Sequence, residues 1–180
     1  MGNINLKKEK KITSIIQNKM QNMHILNSRE TKHILEKLES QYGWDVNKGD
    51  LDFIFLMNKD NRLYVVSRNL GDINTELLKI DSIGIYFGEL YKETIRLSIE
   101  GAQIIGSATT KNIVEIDHDS MIEWVKGGDI MFEDCGRDFV IVKHIDEKTG
   151  KGDILGCGKY KGGKLINYVS KSRRLVVVNE

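Results

Sequence analysis

The sequence contains no proline, only two cysteines, and no apolar run near the ~20 residues that a membrane-spanning helix needs. Cys135 and Cys157 show no pairing pattern, which predicts a reducing cytosol rather than a disulfide framework. The N-terminus also lacks the apolar core of a secretory signal. We therefore expect a cytoplasmic protein without a membrane segment.

Residue patterns for metal binding are also missing. The histidines are scattered, at His24, His33, His118 and His144. None of them belongs to an H-x-x-x-H pair, and the sequence has no C-x-x-C pair. Asp117 and Asp119 flank His118, but they stand at a predicted helix start, where carboxylates act as N-caps. We expect no metal.

The sequence also lacks a complete catalytic motif. Gly158 to Lys164 satisfies the G-x-x-x-x-G-K spacing of a phosphate-binding loop. That loop requires a following Ser or Thr and a helix, whereas Leu165 and a strand pattern follow here. Cys157 lies between two glycines in a predicted strand, which small-residue packing explains. We predict no catalytic residues and no cofactor, so the chain is not expected to be an enzyme.

The 180 residues, 40% of them hydrophobic and 29% charged, suit one large globular domain or two small ones. The net charge of +1 conceals a strong asymmetry. Residues 1–22 carry five lysines and one glutamate, and residues 154–180 carry six basic side chains and one acidic one. The region between them is acidic. Positive charge at both ends can steer a polyanion to one face of the protein.

The first part of the chain predicts a small α+β unit. Residues 1–22 form a basic arm, either an amphipathic helix or partly ordered. Residues 23–92 form the first domain. It begins with a predicted strand Met23–Leu26 and a helix Ser28–Tyr42, for which Asn27 is the N-cap and Gly43 the C-terminal stop. A hairpin over residues 52–67, a short element at residues 77–80 and a strand at residues 82–89 are predicted to follow.

Residues 93–180 predict a second, mostly β domain with two short helices, arranged as a compact barrel. Its predicted elements are a strand-then-helix at residues 95–106, a half-buried strand at 111–117, a helix from Asp117 or Asp119 to Val125, strands at 139–143, 154–159 and 164–169, and a last strand at 175–178. The predicted fold class is therefore α+β, with the N-terminal domain packed on this barrel.

The strongest functional signal is the basic run near the C-terminus. Residues 154–174 contain six cationic side chains and no acidic one. Cations attract phosphates, and aromatic and amide side chains stack on bases or bond to them. The residues of this run that we predict to bind RNA are Lys159, Tyr160, Lys161, Lys164, Asn167, Tyr168, Lys171, Arg173 and Arg174. The alternative is a Gly-rich surface hairpin whose lysines only confer solubility.

Several glycines stand inside predicted helices and strands, where each weakens its element by up to about 1 kcal/mol. Such a cost is tolerated where another backbone approaches closely. These glycines are Gly101 in a helix and Gly156 and Gly158 in a strand, and their neighbour is either the protein's own sheet or a bound RNA strand. We include Gly101, together with Gly106 at the end of the same helix, in the predicted RNA-binding set.

Five segments together resemble the PUA domain, an RNA-binding β-barrel named from pseudouridine synthases and archaeosine transglycosylases. They are RLSIEGAQIIG at residues 96–106, KNIVEI at 111–116, WVKGGDI at 124–130, FVIVK at 139–143 and LGCGK at 155–159. Residues 155–174 are also similar to the PUA-like tail of RNA cytosine-5 methyltransferases. Ile166 and Val169 depart from that tail, and Ser170 stands where it usually has proline. The first half resembles, more weakly, the pre-PUA unit of archaeal-type ribosome-biogenesis proteins.

The resemblance implies a non-enzymatic RNA-binding protein acting on rRNA or tRNA, in ribosome biogenesis or tRNA modification. It adds Lys111 to the predicted RNA-binding residues. The alternative is an adaptor that docks a ribosomal protein or an RNA-modifying enzyme through an acidic face. That face would comprise Glu115, Asp117, Asp119, Glu123, Glu133, Asp134 and Asp138.

Overall fold

The structure, a computed structural model, describes residues 10–16, 22–45, 53–73, 82–133, 139–146 and 148–175. The described residues form an α+β fold with two five-stranded sheets, which confirms the predicted fold class. The first sheet contains β1 (Met23–Ile25), β2 (Phe53–Asn58), β3 (Arg62–Ser67), β4 (Ile85–Tyr91) and β5 (Thr94–Leu97), in that spatial order.

The second sheet contains β6 (Ile113–Ile116), β7 (Ile130–Met131), β8 (Phe139–Ile145), β9 (Gly152–Lys161) and β10 (Lys164–Asn167). Its spatial order is β6-β8-β9-β10-β7. The β6–β8 pair is parallel, and the other neighbours are antiparallel. The described helices are α1 (residues 10–16), α2 (Ser28–Tyr42), α3 (Ile99–Gly106) and α4 (His118–Val125), with 3₁₀ turns at Arg68–Asp72 and Lys171–Arg173.

Local sequence signals set the helix ends. The Asn27 side-chain oxygen caps α2 by accepting from the backbone N–H groups of Arg29 and Glu30, while the Glu30 carboxylate accepts from the backbone N–H of Asn27 at 2.8 Å. Gly43 ends this helix in the left-handed conformation at φ 62°. Asp117 accepts from Ser120 N at 2.8 Å and so caps α4, and these bonds lower the pKa of its carboxyl. Both predicted caps are thus present.

The main hydrophobic core joins the two halves of the chain. It contains Leu63 and Phe87 from the first sheet, Ile105 from α3, and Ile141 and Cys157 from the second sheet. The strand β5 pairs with β4, and α3 packs on both β4 and β9. These two elements therefore connect the sheets. The predicted domain boundary between residues 92 and 93 stays a prediction.

A second core lies on the other face of the β8–β9–β10 sheet, around the fully buried Trp124 of α4. The Trp124 indole N–H donates to the Leu155 carbonyl at 3.2 Å. A third core packs α1, through Ile12 and Ile16, against Ile54 and Leu56 of the first sheet. The described part of the predicted basic arm is therefore a helix that contributes buried side chains.

Some predicted boundaries differ from the structure. β10 ends at Asn167 rather than at residue 169, because the Asn167 side chain bonds to the Val169 amide and turns the chain. The fourth strand runs from Ile85 to Tyr91 instead of over residues 82–89. Leu175 is not in a strand, and its amide donates to Val125 O at 2.9 Å. The elements predicted at residues 77–80 and 176–178 lie outside the described residues.

Candidate nucleic-acid interface

Three of the predicted lysines share one face of the second sheet. In the β9–β10 pair Lys161 lies opposite Lys164, and Lys159 lies opposite Ile166. Directly opposed residues in an antiparallel pair project to the same side of the sheet. Lys159, Lys161 and Lys164 therefore form one surface, which we call the lysine face. The buried Leu165, on the opposite side, packs into the second core.

The hairpin turn holds two of these lysines close together. Gly162 and Gly163 have φ values of 59° and 73°, the left-handed pair that a two-residue hairpin turn requires. Lys161 and Lys164 flank this turn, both are exposed, and neither has an ion-pair partner within the described part of the chain. Like charges directly opposite each other destabilise a strand pair. A bound anion would relieve that repulsion.

Next to the lysine face lies a cluster of aromatic rings and cations. Lys159 Nζ is 4.7 Å from the centre of the Phe139 ring, and the Tyr168 ring meets Phe139 edge-on at 5.3 Å. The Arg96 guanidinium carbon lies 5.2 Å from the centre of the Tyr168 ring, and Tyr91 lies 6.2 Å from Phe139. A cation placed over an aromatic ring is attracted to the electron-rich face of that ring. We call these five residues the aromatic–cation cluster.

The cluster is accessible and spans both sheets. Tyr168 is 39% exposed and Tyr91 is 54% exposed, whereas Phe139 beneath them is only 4% exposed. Tyr91 and Arg96 come from the first sheet, while Phe139 and Lys159 come from the second. Exposed aromatic rings beside cations provide stacking surfaces for bases.

Beside the cluster runs a groove of about 660 Å³ between β4–β5 and residues 168–173, which we call the β5–tail groove. Arg96 and Arg173 both line it, together with Tyr168. Each arginine pairs with a carboxylate: Arg96 with Glu89 and Arg173 with Glu100. Another lining residue is Tyr86, where burial raises the pKa of the hydroxyl and the nearby Arg96 opposes that shift.

Three other residues of the basic run have structural contacts instead. Tyr160 is only 7% exposed and packs in the second core, so its ring is not available for stacking. Asn167 donates to Trp124 O and Gly128 O and accepts from Val169 N. The Arg174 guanidinium donates twice to Val169 O at 3.2 Å. Internal contacts therefore occupy these three residues, which the sequence analysis assigned to RNA binding.

The two glycines of α3 make room for the protein itself. A Cβ on Gly101 would collide with the Phe87 carbonyl oxygen of β4, and one on Gly106 would meet the Ile154 side chain. The structure therefore favours the alternative in which the protein's own sheet approaches these glycines.

Lys171 is exposed on its 3₁₀ turn. Lys111 is exposed beside Gly43, and no described contact joins it to the lysine face.

Three residues of this surface are not predicted from the sequence: Tyr91, Arg96 and Phe139. A usable signal existed for Arg96, because the alternation of β5 places it on the face opposite the buried Ile95 and Leu97. No local signal brings Tyr91 and Phe139 together, because they lie 48 positions apart and meet only through the packing of the two sheets.

The described residues offer little for catalysis. Burial raises the pKa of the Cys157 thiol to about 12, so it remains protonated and non-nucleophilic at neutral pH. Within the described ranges no group of three or more metal-ligating side chains occurs. In that same part of the chain, no helix is both long and apolar enough to cross a membrane.

The second half of the chain is similar to a PUA domain, as the resemblance predicted. Residues 111–175 match the family model described as "Methyltransferase RsmF PUA domain". This segment is therefore similar to the tails of RNA cytosine-5 methyltransferases, which confirms that part of the prediction.

Relatives with curated names support the same similarity. "Ribosomal RNA small subunit methyltransferase F" of Aeromonas salmonicida is 27% identical over 143 residues, covering 79% of this chain and 27% of the relative. The protein of the same name from Vibrio vulnificus is 30% identical over 109 residues, covering 61% of this chain and 22% of the relative. The chain thus spans no more than 27% of the length of these relatives.

Among solved structures, a PUA domain from Aeropyrum pernix in complex with tartrate aligns with a TM-score of 0.43 and 12% identity. The alignment covers 76% of this chain and 71% of that one.

Proposed function

We propose that this chain is a non-enzymatic RNA-binding protein that acts in the cytoplasm on rRNA or tRNA, in ribosome biogenesis or RNA modification. The observation that carries the proposal is that Lys159 of the lysine face and the exposed Tyr168 both contact the Phe139 ring of the aromatic–cation cluster. Support also comes from the PUA match and from relatives whose names describe an rRNA methyltransferase. Those relatives are much longer proteins, so their activity is not carried over.

The two parts of the surface have complementary roles. Lys161 and Lys164 are exposed and have no carboxylate partner among the described residues. They are therefore available to bind backbone phosphates, whatever the nucleotide sequence of the RNA. Tyr168 and Tyr91 offer rings on which unpaired bases stack, and every base has a π-face. This combination favours RNA with accessible bases, since the bases of an intact duplex are stacked on each other.

The adaptor alternative receives less support from the described residues. Of its seven acidic side chains, Glu115 pairs with Lys143 at 3.4 Å and Asp117 is the N-cap of α4. Asp134 and Asp138 lie outside the described residues. Asp119 and Glu123 on α4 are exposed, as is Glu133 after β7. The proposed RNA surface is more extensive than this remainder, so we retain the adaptor only as the second candidate.

The direct test replaces the exposed ring. Stacking on an aromatic side chain contributes about 1–3 kcal/mol per base. We therefore expect Tyr168→Leu to weaken binding to single-stranded RNA by about tenfold, as measured by fluorescence anisotropy with a labelled oligonucleotide. Tyr168→Phe keeps the ring and is expected to bind like the wild type. Equal affinities for the Leu and Phe variants, both folded by circular dichroism, would contradict a stacking role.

A further inference from the structure

The β5–tail groove differs from the lysine face because its cations are already held by carboxylates of the same chain. The Arg173 side chain is 62% exposed and pairs with Glu100, whose side chain is 29% exposed. The two residues stand 73 positions apart in sequence, so their pair joins the C-terminal segment to the first turn of α3. An ion pair this open to water is weak and easily exchanged.

We propose that the β5–tail groove takes one unpaired nucleotide of RNA, with its base against Tyr168 and its phosphate on Arg173 in place of the Glu100 carboxylate. This inference rests on the proposed RNA-binding function and names the part of the RNA that this groove recognises. A phosphate presents anionic oxygens to a guanidinium in the same two-pronged geometry as a carboxylate. Glu100 therefore occupies the position of the incoming phosphate.

The other arginine of the groove has a different task. The side chains of Arg96 and Glu89 are only 26% and 22% exposed, so their pair is better shielded from solvent than the Arg173–Glu100 pair. Arg96 also lies over the Tyr168 ring, with its guanidinium carbon 5.2 Å from the ring centre. Because it is fixed by these contacts, Arg96 supports the ring against which the base stacks and is not released by phosphate.

The dimensions of the groove agree with a single nucleotide. Its volume of about 660 Å³ is within the range of pockets that hold small molecules. Its walls come from the first sheet, from the start of α3 and from residues 168–173, and they combine the exposed Ile85 and Tyr168 with polar Ser98. A base can enter such a groove only when it is unpaired, because a duplex keeps its bases stacked inside.

The test removes the competing carboxylate. Glu100→Gln frees Arg173, and we expect it to raise the affinity for a single-stranded RNA oligonucleotide about three- to tenfold over the wild type. The matched control is Glu115→Gln, which also removes one negative charge from an ion pair, with Lys143 on β8. That control accounts for the change in net charge, and we expect it to alter affinity by less than about twofold.

A double-mutant cycle makes the test specific to Arg173. In the Arg173→Gln background the Glu100→Gln substitution is expected to change affinity no more than the charge control Glu115→Gln does. For a blunt RNA duplex, Glu100→Gln and Glu115→Gln are expected to bind equally. The proposal is overturned if the two variants also bind single strands equally, if Glu100→Gln still raises affinity without Arg173, or if the duplex gains as much as the single strand.

The failure of this inference is distinguishable from failure of the proposed function. If the wild type binds no RNA in the same titration, both are overturned. If the wild type binds RNA and Tyr168→Leu weakens it, but Glu100→Gln equals Glu115→Gln, the RNA-binding surface stands and only the phosphate exchange in the groove is rejected.

Discussion

Replacing Lys159, Lys161 and Lys164 together by glutamine is expected to lower the affinity for RNA on the order of 100-fold at about 0.1 M salt. Each lysine that neutralises a phosphate releases a condensed counterion, so three lost contacts also reduce the slope of log K against log salt by about 2 for a single strand. Gel-shift or anisotropy titrations at several salt concentrations measure both quantities. Glutamine keeps the side chain long and polar, which limits the effect on folding.

The matched control neutralises three other exposed lysines, Lys59, Lys148 and Lys151, which lie in or next to the β2–β3 and β8–β9 turns. The control has the same net charge as the test variant, so any general loss of attraction for a polyanion is shared by both. We expect it to retain most of the affinity. A similar loss in both variants would show that RNA responds to overall charge and not to the lysine face.

Gly101→Ala is expected to reduce the free energy of unfolding by about 2 kcal/mol. The new methyl group would collide with the Phe87 carbonyl oxygen, and a backbone atom of β4 cannot rotate away as a side chain can. The gain in helix propensity from Gly to Ala is up to about 1 kcal/mol and does not offset the cost of the collision. Urea denaturation followed by circular dichroism measures the change.

Gly106→Ala is the control within the same helix, because its methyl group would meet the end of the Ile154 side chain, which has other rotamers. We expect a clearly smaller loss of stability. If Gly101→Ala were as stable as the wild type but bound RNA poorly, the glycine would serve RNA approach instead of packing, and our account of α3 would be wrong.

The parts of the fold that local signals determine could be predicted from the sequence. The capping box at Asn27 and Glu30 and the left-handed Gly43 set both ends of α2, and the alternation of residues 111–117 identified the half-buried β6. The turn Gly162–Gly163 placed the β9–β10 hairpin. Each of these features depends on residues within a few positions of one another.

The composition of the site depended on non-local pairing and could be predicted only in part. The charge pattern groups Tyr160 with its lysine neighbours as an RNA-binding residue, although strand alternation alone places it on the face opposite Lys159 and Lys161. The Arg173–Glu100 pair and the contact of Arg96 with Tyr168 join residues more than 70 positions apart. No periodicity in the sequence encodes such contacts, because they follow from how β5 and the C-terminal segment pack.

The most direct test of the central claim, that RNA binds on the lysine face and the adjoining aromatic–cation cluster, is an NMR titration of the protein with single-stranded RNA. The account predicts that the largest amide shifts fall in residues 159–173 and in β5, while α2 and α4 change little. Shifts concentrated on α4 and β6, with residues 159–173 unchanged, would contradict it.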